Sequence, residues 1–142
     1  MKIQLFFCLL LVLCCHTSLF RTTHFIFGIQ LKCAYSENPF KYNIKIWEAD
    51  LTGDDQVTDG YQGEGLDGDF IYIRGKQNNG DGGDNHYELY AEIFHTCTRD
   101  GSSRFVKKRK LGDALTAFGL VYLEIVLMLT DAGELTEDFT WQ

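Results

Sequence analysis

Basic residues are scarce in this chain. Lysine and arginine number 13 against 20 aspartates and glutamates, a formal net charge of −7 at pH 7, so the molecule as a whole repels polyanions and nucleic acid is not an expected partner. No Asn-x-Ser/Thr tripeptide occurs, and N-glycosylation is therefore not expected. No Cys-x-x-Cys is present, which removes the usual mark of a reactive thiol pair. Acidic residues abound, yet no segment has the spacing of a calcium loop that ends in a bidentate glutamate. No unit repeats at a fixed interval. Neither long apolar stretch, residues 6–15 or residues 113–130, is both long enough and uncharged enough to span a bilayer.

What is present begins with a targeting pattern. Met1-Lys2 supplies one positive charge, and Phe6 to Cys15 is an uncharged apolar run without a polar face, the n-region and h-region of a secretory signal. Residues 1–18 are read as the signal peptide, with cleavage near Thr17 or Ser18, and residues 19–142 as one domain long enough to bury a single core. Cleavage removes Lys2 alone among charged residues, so the charge goes from 13 − 20 = −7 to 12 − 20 = −8. It also discards Cys8, Cys14 and Cys15. Cys33 and Cys97 remain, and two cysteines in an oxidising compartment most simply pair.

The mature part reads as strands divided by turn chemistry. Residues 23–33 are β-branched and aromatic, a first strand with a bulge expected at Gly28. Residues 36–39 form a turn cluster, and residues 42–48 alternate, with Ile44 and Ile46 opposite Lys45 and Trp47. A short strand is expected within residues 56–61, and the apolar run 70–73, bounded by glycines, reads as a buried strand. Residues 77–85 read as an exposed loop. The clearest strand is 86–97, with Tyr87, Leu89, Ala91, Ile93 and His95 on one side and Glu88, Tyr90, Glu92, Phe94 and Thr96 on the other. Residues 105–111 form another strand. Residues 113–130 fit a helical stripe and a terminal strand equally well. About seven short strands in all describe an antiparallel all-β sandwich.

Several local patterns carry a resemblance. Ile44-Lys45-Ile46-Trp47-Glu48-Ala49-Asp50 is followed by Asp54-Asp55, by Gly65-Leu66-Asp67-Gly68-Asp69-Phe70, by Gly75, and by Ile93-Phe94-His95-Thr96-Cys97. In that order they resemble the nematode transthyretin-like family, over roughly Ile29 to Cys97. The resemblance implies a transthyretin-like (prealbumin-type) sandwich of two antiparallel sheets, favours a strand over residues 113–130, and implies a secreted protein with a binding role in extracellular fluid or at cell surfaces. The chain departs from the pattern where Glu64 and Leu66 intrude before the hairpin, where Leu89 replaces a proline, and where a second cysteine pair is missing. The C-terminal third matches poorly.

The enzyme related to that fold, 5-hydroxyisourate hydrolase, uses histidines, an arginine and a terminal Tyr-Arg-Gly-Ser motif. This chain ends Glu137-Asp138-Phe139-Thr140-Trp141-Gln142, so a hydrolase built on His24, His86 or His95 with Arg99 is the alternative rather than the expectation. His95 is the histidine with positional meaning: a base or, with Cys97, a metal ligand in the functional reading, and a core-edge residue bonded to backbone in the reading adopted. The clusters Asp50/Asp54/Asp55, Asp67/Asp69 and Asp81/Asp84 are read as solvated turns rather than calcium ligands. Lys107, Lys108, Arg109 and Lys110 form the single basic block, a candidate for anionic lipid or sulfated glycan, or else an edge strand protected from aggregation by charge. Tyr90 and Phe94 are expected to pack. The expectation is thus a secreted, non-enzymatic binding protein with no metal and no cofactor, whose partner is an extracellular protein, an anionic lipid surface or a small apolar ligand; a structural extracellular protein is the other alternative.

Overall fold

The computed structural model describes residues 22–35, 37–50, 53–78, 86–115 and 119–136. The expected signal peptide and the acidic pair Asp81/Asp84 lie outside them. The described residues form nine strands and no helix: β1 (Thr22–Lys32), β2 (Phe40–Glu48), β3 (Asp55–Gln56), β4 (Tyr61–Gly65), β5 (Phe70–Asn78), β6 (His86–His95), β7 (Arg104–Leu115), β8 (Gly119–Met128) and β9 (Glu134–Leu135). Two of the nine, β3 and β9, are only two residues long.

These strands make two sheets. One is three-stranded, in the order β5-β1-β8, and the other six-stranded, β3-β2-β6-β7-β9 with β4 also on β2. Pairing is antiparallel except between β1 and β8. A parallel pair cannot be closed by a hairpin; here strands β2 to β7 intervene in sequence before the chain returns beside β1.

Period-two alternation decides which face is buried. On β1, Phe25, Phe27, Ile29 and Leu31 are buried, and on β2 Phe40, Tyr42, Ile44 and Ile46 are buried. On β6 the side chains of Tyr87, Leu89, Ala91, Ile93 and His95 all point inward, as the sequence pattern predicts. Residues of both sheets join one apolar cluster. Phe25 meets Tyr87 edge to face at 5.3 Å, and Thr23 Oγ1 shares a hydrogen bond with the Tyr87 hydroxyl at 3.0 Å. The disulfide Cys33–Cys97 forms as expected, with Cα atoms 5.8 Å apart. It ties the residue after β1 in one sheet to the segment after β6 in the other.

Several local expectations are corrected. No register shift occurs in β1 at Gly28, so there is no bulge. The glycine instead leaves room for side chains: a Cβ there would stand 2.7 Å from the Tyr122 hydroxyl and 2.9 Å from Phe70 Cζ. The strand sought within residues 56–61 is absent as a unit. Its ends contribute to β3 and β4, and Val57 and Thr58 are buried between them. Lys76 N–H donates to the Val57 carbonyl at 3.1 Å, and a Cβ at Gly75 would fall 2.7 Å from that carbonyl oxygen, so only a bare α-carbon admits this segment. Gln77 belongs to β5 and is buried, not part of an exposed loop. The stretch that fitted helix and strand alike divides: residues 113–115 end β7 and residues 119–128 are strand β8.

Candidate binding surface

The outer face of the three-stranded sheet is built by the side chains left over from the alternation. Once Phe25, Phe27, Ile29 and Leu31 turn inward, His24, Ile26, Gly28, Gln30 and Lys32 turn outward. Register places Ile26 between Arg74 and Tyr122, Gly28 between Tyr72 and Glu124, and Gln30 between Phe70 and Val126, with Lys32 beside Met128. Apart from Arg74 and Lys76 on β5 and Glu124 on β8, the outward side chains of both flanking strands between Phe70 and Lys76 and between Leu120 and Met128 are apolar or aromatic. Tyr72 is 59% exposed, Leu120 65% and Met128 61%, with Phe70, Tyr122 and Val126 also exposed. Isolated exposed apolar residues are ordinary, but a contiguous set on one face is not.

Aromatic packing organises the strip. Phe70 and Tyr72 meet edge to face at 5.1 Å, and Phe70 and Tyr122 lean over Gly28 from opposite sides. The Tyr122 hydroxyl donates to Glu124 Oε1 at 3.2 Å. Its pKa is raised, by desolvation first and then by this bond to a carboxylate. At the Thr22 end of β1 the strip runs into a pocket of about 290 Å³. His24, Arg74 and Lys76 line it from the sheet, Val57 and Thr58 from the segment between β3 and β4, and Asp59 contributes its acidic side chain.

Of the sites expected from the sequence, His95 is fully buried. Its Nε2 lies 3.0 Å from the Ala132 carbonyl and its Nδ1 accepts the Cys97 N–H at 3.2 Å, which requires the proton on Nε2. Both nitrogens are thereby committed to backbone. Burial holds its pKa below the usual histidine value, with Arg104 adding to the depression and the Ala132 bond and Asp131 opposing it. The folded protein therefore binds fewer protons here than the unfolded chain, so this contribution to stability is complete above about pH 6.5 and is lost as pH falls below it. Denaturant titrations between pH 8 and pH 5 should show a fall in unfolding free energy that His95→Gln reduces. A pH slope identical in the variant would assign the effect elsewhere.

His86 and His95 stand at opposite ends of β6, roughly 30 Å apart at ~3.3 Å per residue. His24 lies on the outer face of β1. Arg99 sits over the Tyr35 ring at 6.0 Å, and the Tyr35 hydroxyl donates to Asp131 Oδ2 at 2.5 Å.

The basic block lies on β7 with all four side chains exposed. Lys108 Nζ is 3.7 Å from Asp54 Oδ2 and 4.3 Å from the centre of the Tyr90 ring. Lys110 Nζ is 3.1 Å from Asp113 Oδ1. Local acids thus offset part of the charge that Lys107 and Arg109 extend along the strand. Tyr90 is packed, as expected: its hydroxyl donates to Asp54 Oδ2 at 2.6 Å. Desolvation, then that bond, raises its pKa strongly. Phe94 stacks on Phe105 at 4.3 Å.

The acidic clusters separate. Asp67 accepts the Cys33 N–H and Asp69 the Leu66 N–H, each at 2.8 Å, which is the turn-capping role expected of them. Asp54 accepts the Asp50 N–H through Oδ1 at 3.2 Å and turns Oδ2 to Tyr90 and Lys108, whereas the Asp50 and Asp55 carboxylates group with the buried Glu48, ligand oxygens within 4.8 Å of one another. Gln77 Nε2 donates to both Glu48 Oε2 and Asp55 Oδ2 at 2.8 Å. That amide directs its protons at two of the carboxylates, where a cation would need lone pairs.

No protein-family model matches this chain, and no curated protein matches it. The strip and pocket escaped the sequence reading. Phe70 to Ile73 and Leu120 to Leu127 look like strands covered on both sides, because an uninterrupted apolar run carries no mark of which alternate residues meet solvent. The pocket had no local signal at all, since His24 and Arg74 come from different strands.

Proposed function

We propose that the protein is a secreted, non-enzymatic binding protein with a transthyretin-like sandwich, acting in extracellular fluid or at cell surfaces through the outer face of its three-stranded sheet. The observation that carries this reading is the contiguous exposure of Phe70, Tyr72, Leu120, Tyr122, Val126 and Met128 on one side of β5-β1-β8. A disulfide between the two sheets suits an oxidising compartment, and the apolar N-terminal run with Lys2 suits export. Engagement of both His95 nitrogens by backbone favours binding over hydrolysis, since neither is left to move a proton.

Immobilised mature protein should retain components of extracellular fluid that a Tyr72→Ser, Tyr122→Ser variant does not, while purine-ring hydrolysis stays at background. Equal retention by the variant, or hydrolysis that disappears in His95→Ala, would overturn the reading. Neither tyrosine is in the core, so the variant is expected to fold.

A further inference from the structure

The outer face is polar at one end and apolar along its length. His24, Arg74 and Lys76 converge on the pocket, and Ile26, Tyr122, Tyr72, Phe70, Val126 and Met128 follow from it in successive rows of the register. From Ile26 to Lys32 the strip spans six residue steps along β1, about 20 Å at ~3.3 Å per residue. That is comparable with an extended acyl chain.

We propose that the pocket and the strip together bind a single-chain amphipathic anion, a long-chain carboxylate, with the carboxylate between Arg74, Lys76 and His24 and the tail along Tyr72, Phe70 and Val126. This inference rests on the reading of the outer face as the binding surface and names its ligand.

Charge complementarity selects this occupant. The chain is acidic overall, whereas in this pocket Arg74 and Lys76 outnumber the one carboxylate that lines it, Asp59, a local cationic excess that a small anion samples at short range. An extended anionic surface would instead also meet the repulsion of the remaining carboxylates. A guanidinium and an ammonium on neighbouring outward positions of β5 offer a carboxylate charge-assisted hydrogen bonds. Concavity points the same way: a head group enters a pocket, whereas a bilayer surface rests on a flat one. Binding favours one polarity along the strand, because Arg74 and Lys76 gather at the pocket against Lys32 alone at the far end, while Glu124 stands midway along the strip, opposite Gly28. A head group placed there would meet a carboxylate.

The test is isothermal titration of the mature full-length protein with dodecanoate below its critical micelle concentration, with acetate and dodecanol as controls and phosphatidylserine vesicles as a separate arm. Saturable binding of dodecanoate is expected, with acetate undetectable and dodecanol weaker. Arg74→Gln with Lys76→Gln should raise the Kd at least about tenfold, and Phe70→Ser with Tyr72→Ser by a similar factor, each variant still unfolding in one cooperative transition. Equal affinity for dodecanoate and dodecanol, or a Kd indifferent to the Arg74 and Lys76 changes, would remove the anion pocket while leaving the apolar face as the binding surface. Association with vesicles but not with dodecanoate would also overturn the proposal, in favour of a membrane. If dodecanoate fails to bind and the serine variants retain extracellular components as the wild type does, the ligand and the underlying reading fall together.

Discussion

A Cys33→Ser, Cys97→Ser double variant is expected to lose about 4 kcal/mol of unfolding free energy, the chain-entropy value for a closed loop of this length. The two cysteines are 64 residues apart, so the bond restricts nearly half of the 142-residue chain when it is unfolded. In the folded state it joins the end of β1 in one sheet to the segment after β6 in the other. Total stability for a domain of this size is typically about 5–15 kcal/mol, so the loss is a large fraction of the whole. Denaturant titration of wild type and double variant measures it, with the wild type first shown to have no alkylatable thiol before reduction. A difference below about 1 kcal/mol would mean that the reduced chain is already restricted by residual structure, and that the bond is not the main tie between the sheets. Both serines are introduced together because a single change would leave a buried free thiol with chemistry of its own.

Phe27→Ala is expected to cost about 3–5 kcal/mol, the range for deleting a buried aromatic side chain. Phe27 is fully buried, stacks on Phe25 at 5.5 Å, and lies in register between Ile73 and Leu123. Removing the ring takes away its transfer free energy and leaves a cavity that the surrounding β-branched and aromatic side chains fill only in part. The informative comparison is one residue along and one strand over. Tyr72, paired with Gly28 on the outer face, should cost less than about 1 kcal/mol when changed to serine, the span of strand propensity alone. Unfolding curves for the two variants therefore read out which face of the sheet is the core. Similar losses in both would mean that the outer face is also covered, and that its exposed aromatic strip is not a binding surface.

How far the sequence reaches differs from strand to strand. On β2 and β6 polar residues alternate with apolar ones, so the buried set Ile44, Ile46, Tyr87, Leu89, Ala91, Ile93 and His95 follows from period two without any knowledge of the partner strand. In the runs Phe70–Ile73 of β5 and Leu120–Leu123 of β8 both sets of alternate residues are apolar or aromatic, and within those runs the pattern fits two opposite orientations. Register with β1 breaks the tie. Ile71 and Ile73 go inward with Phe27 and Ile29, which sends Phe70 and Tyr72 outward. Helix and strand were equally compatible with residues 113–130 for a similar reason, since apolar residues there satisfy both periods. Ten consecutive pairings with β1 decide for strand over Gly119–Met128. Gly28 shows the same limit at one position. As a letter it suggested a bulge, whereas its neighbours across the sheet make it the space over which Phe70 and Tyr122 close.

The sequence by itself determined the all-β class, the inward face of the best alternating strands and the turn-capping role of Asp67 and Asp69, all of which depend mostly on residues near one another in the chain. Tertiary structure alone decided the parallel return of β8 beside β1, the outward aromatic strip, the division of Asp54 from Asp50 and Asp55, and the meeting of His24 with Arg74 and Lys76. The physical reason is range. Backbone conformation and alternation are local preferences written in a few consecutive residues. A surface and a pocket are juxtapositions of distant strands, chosen by the packing free energy of the whole core.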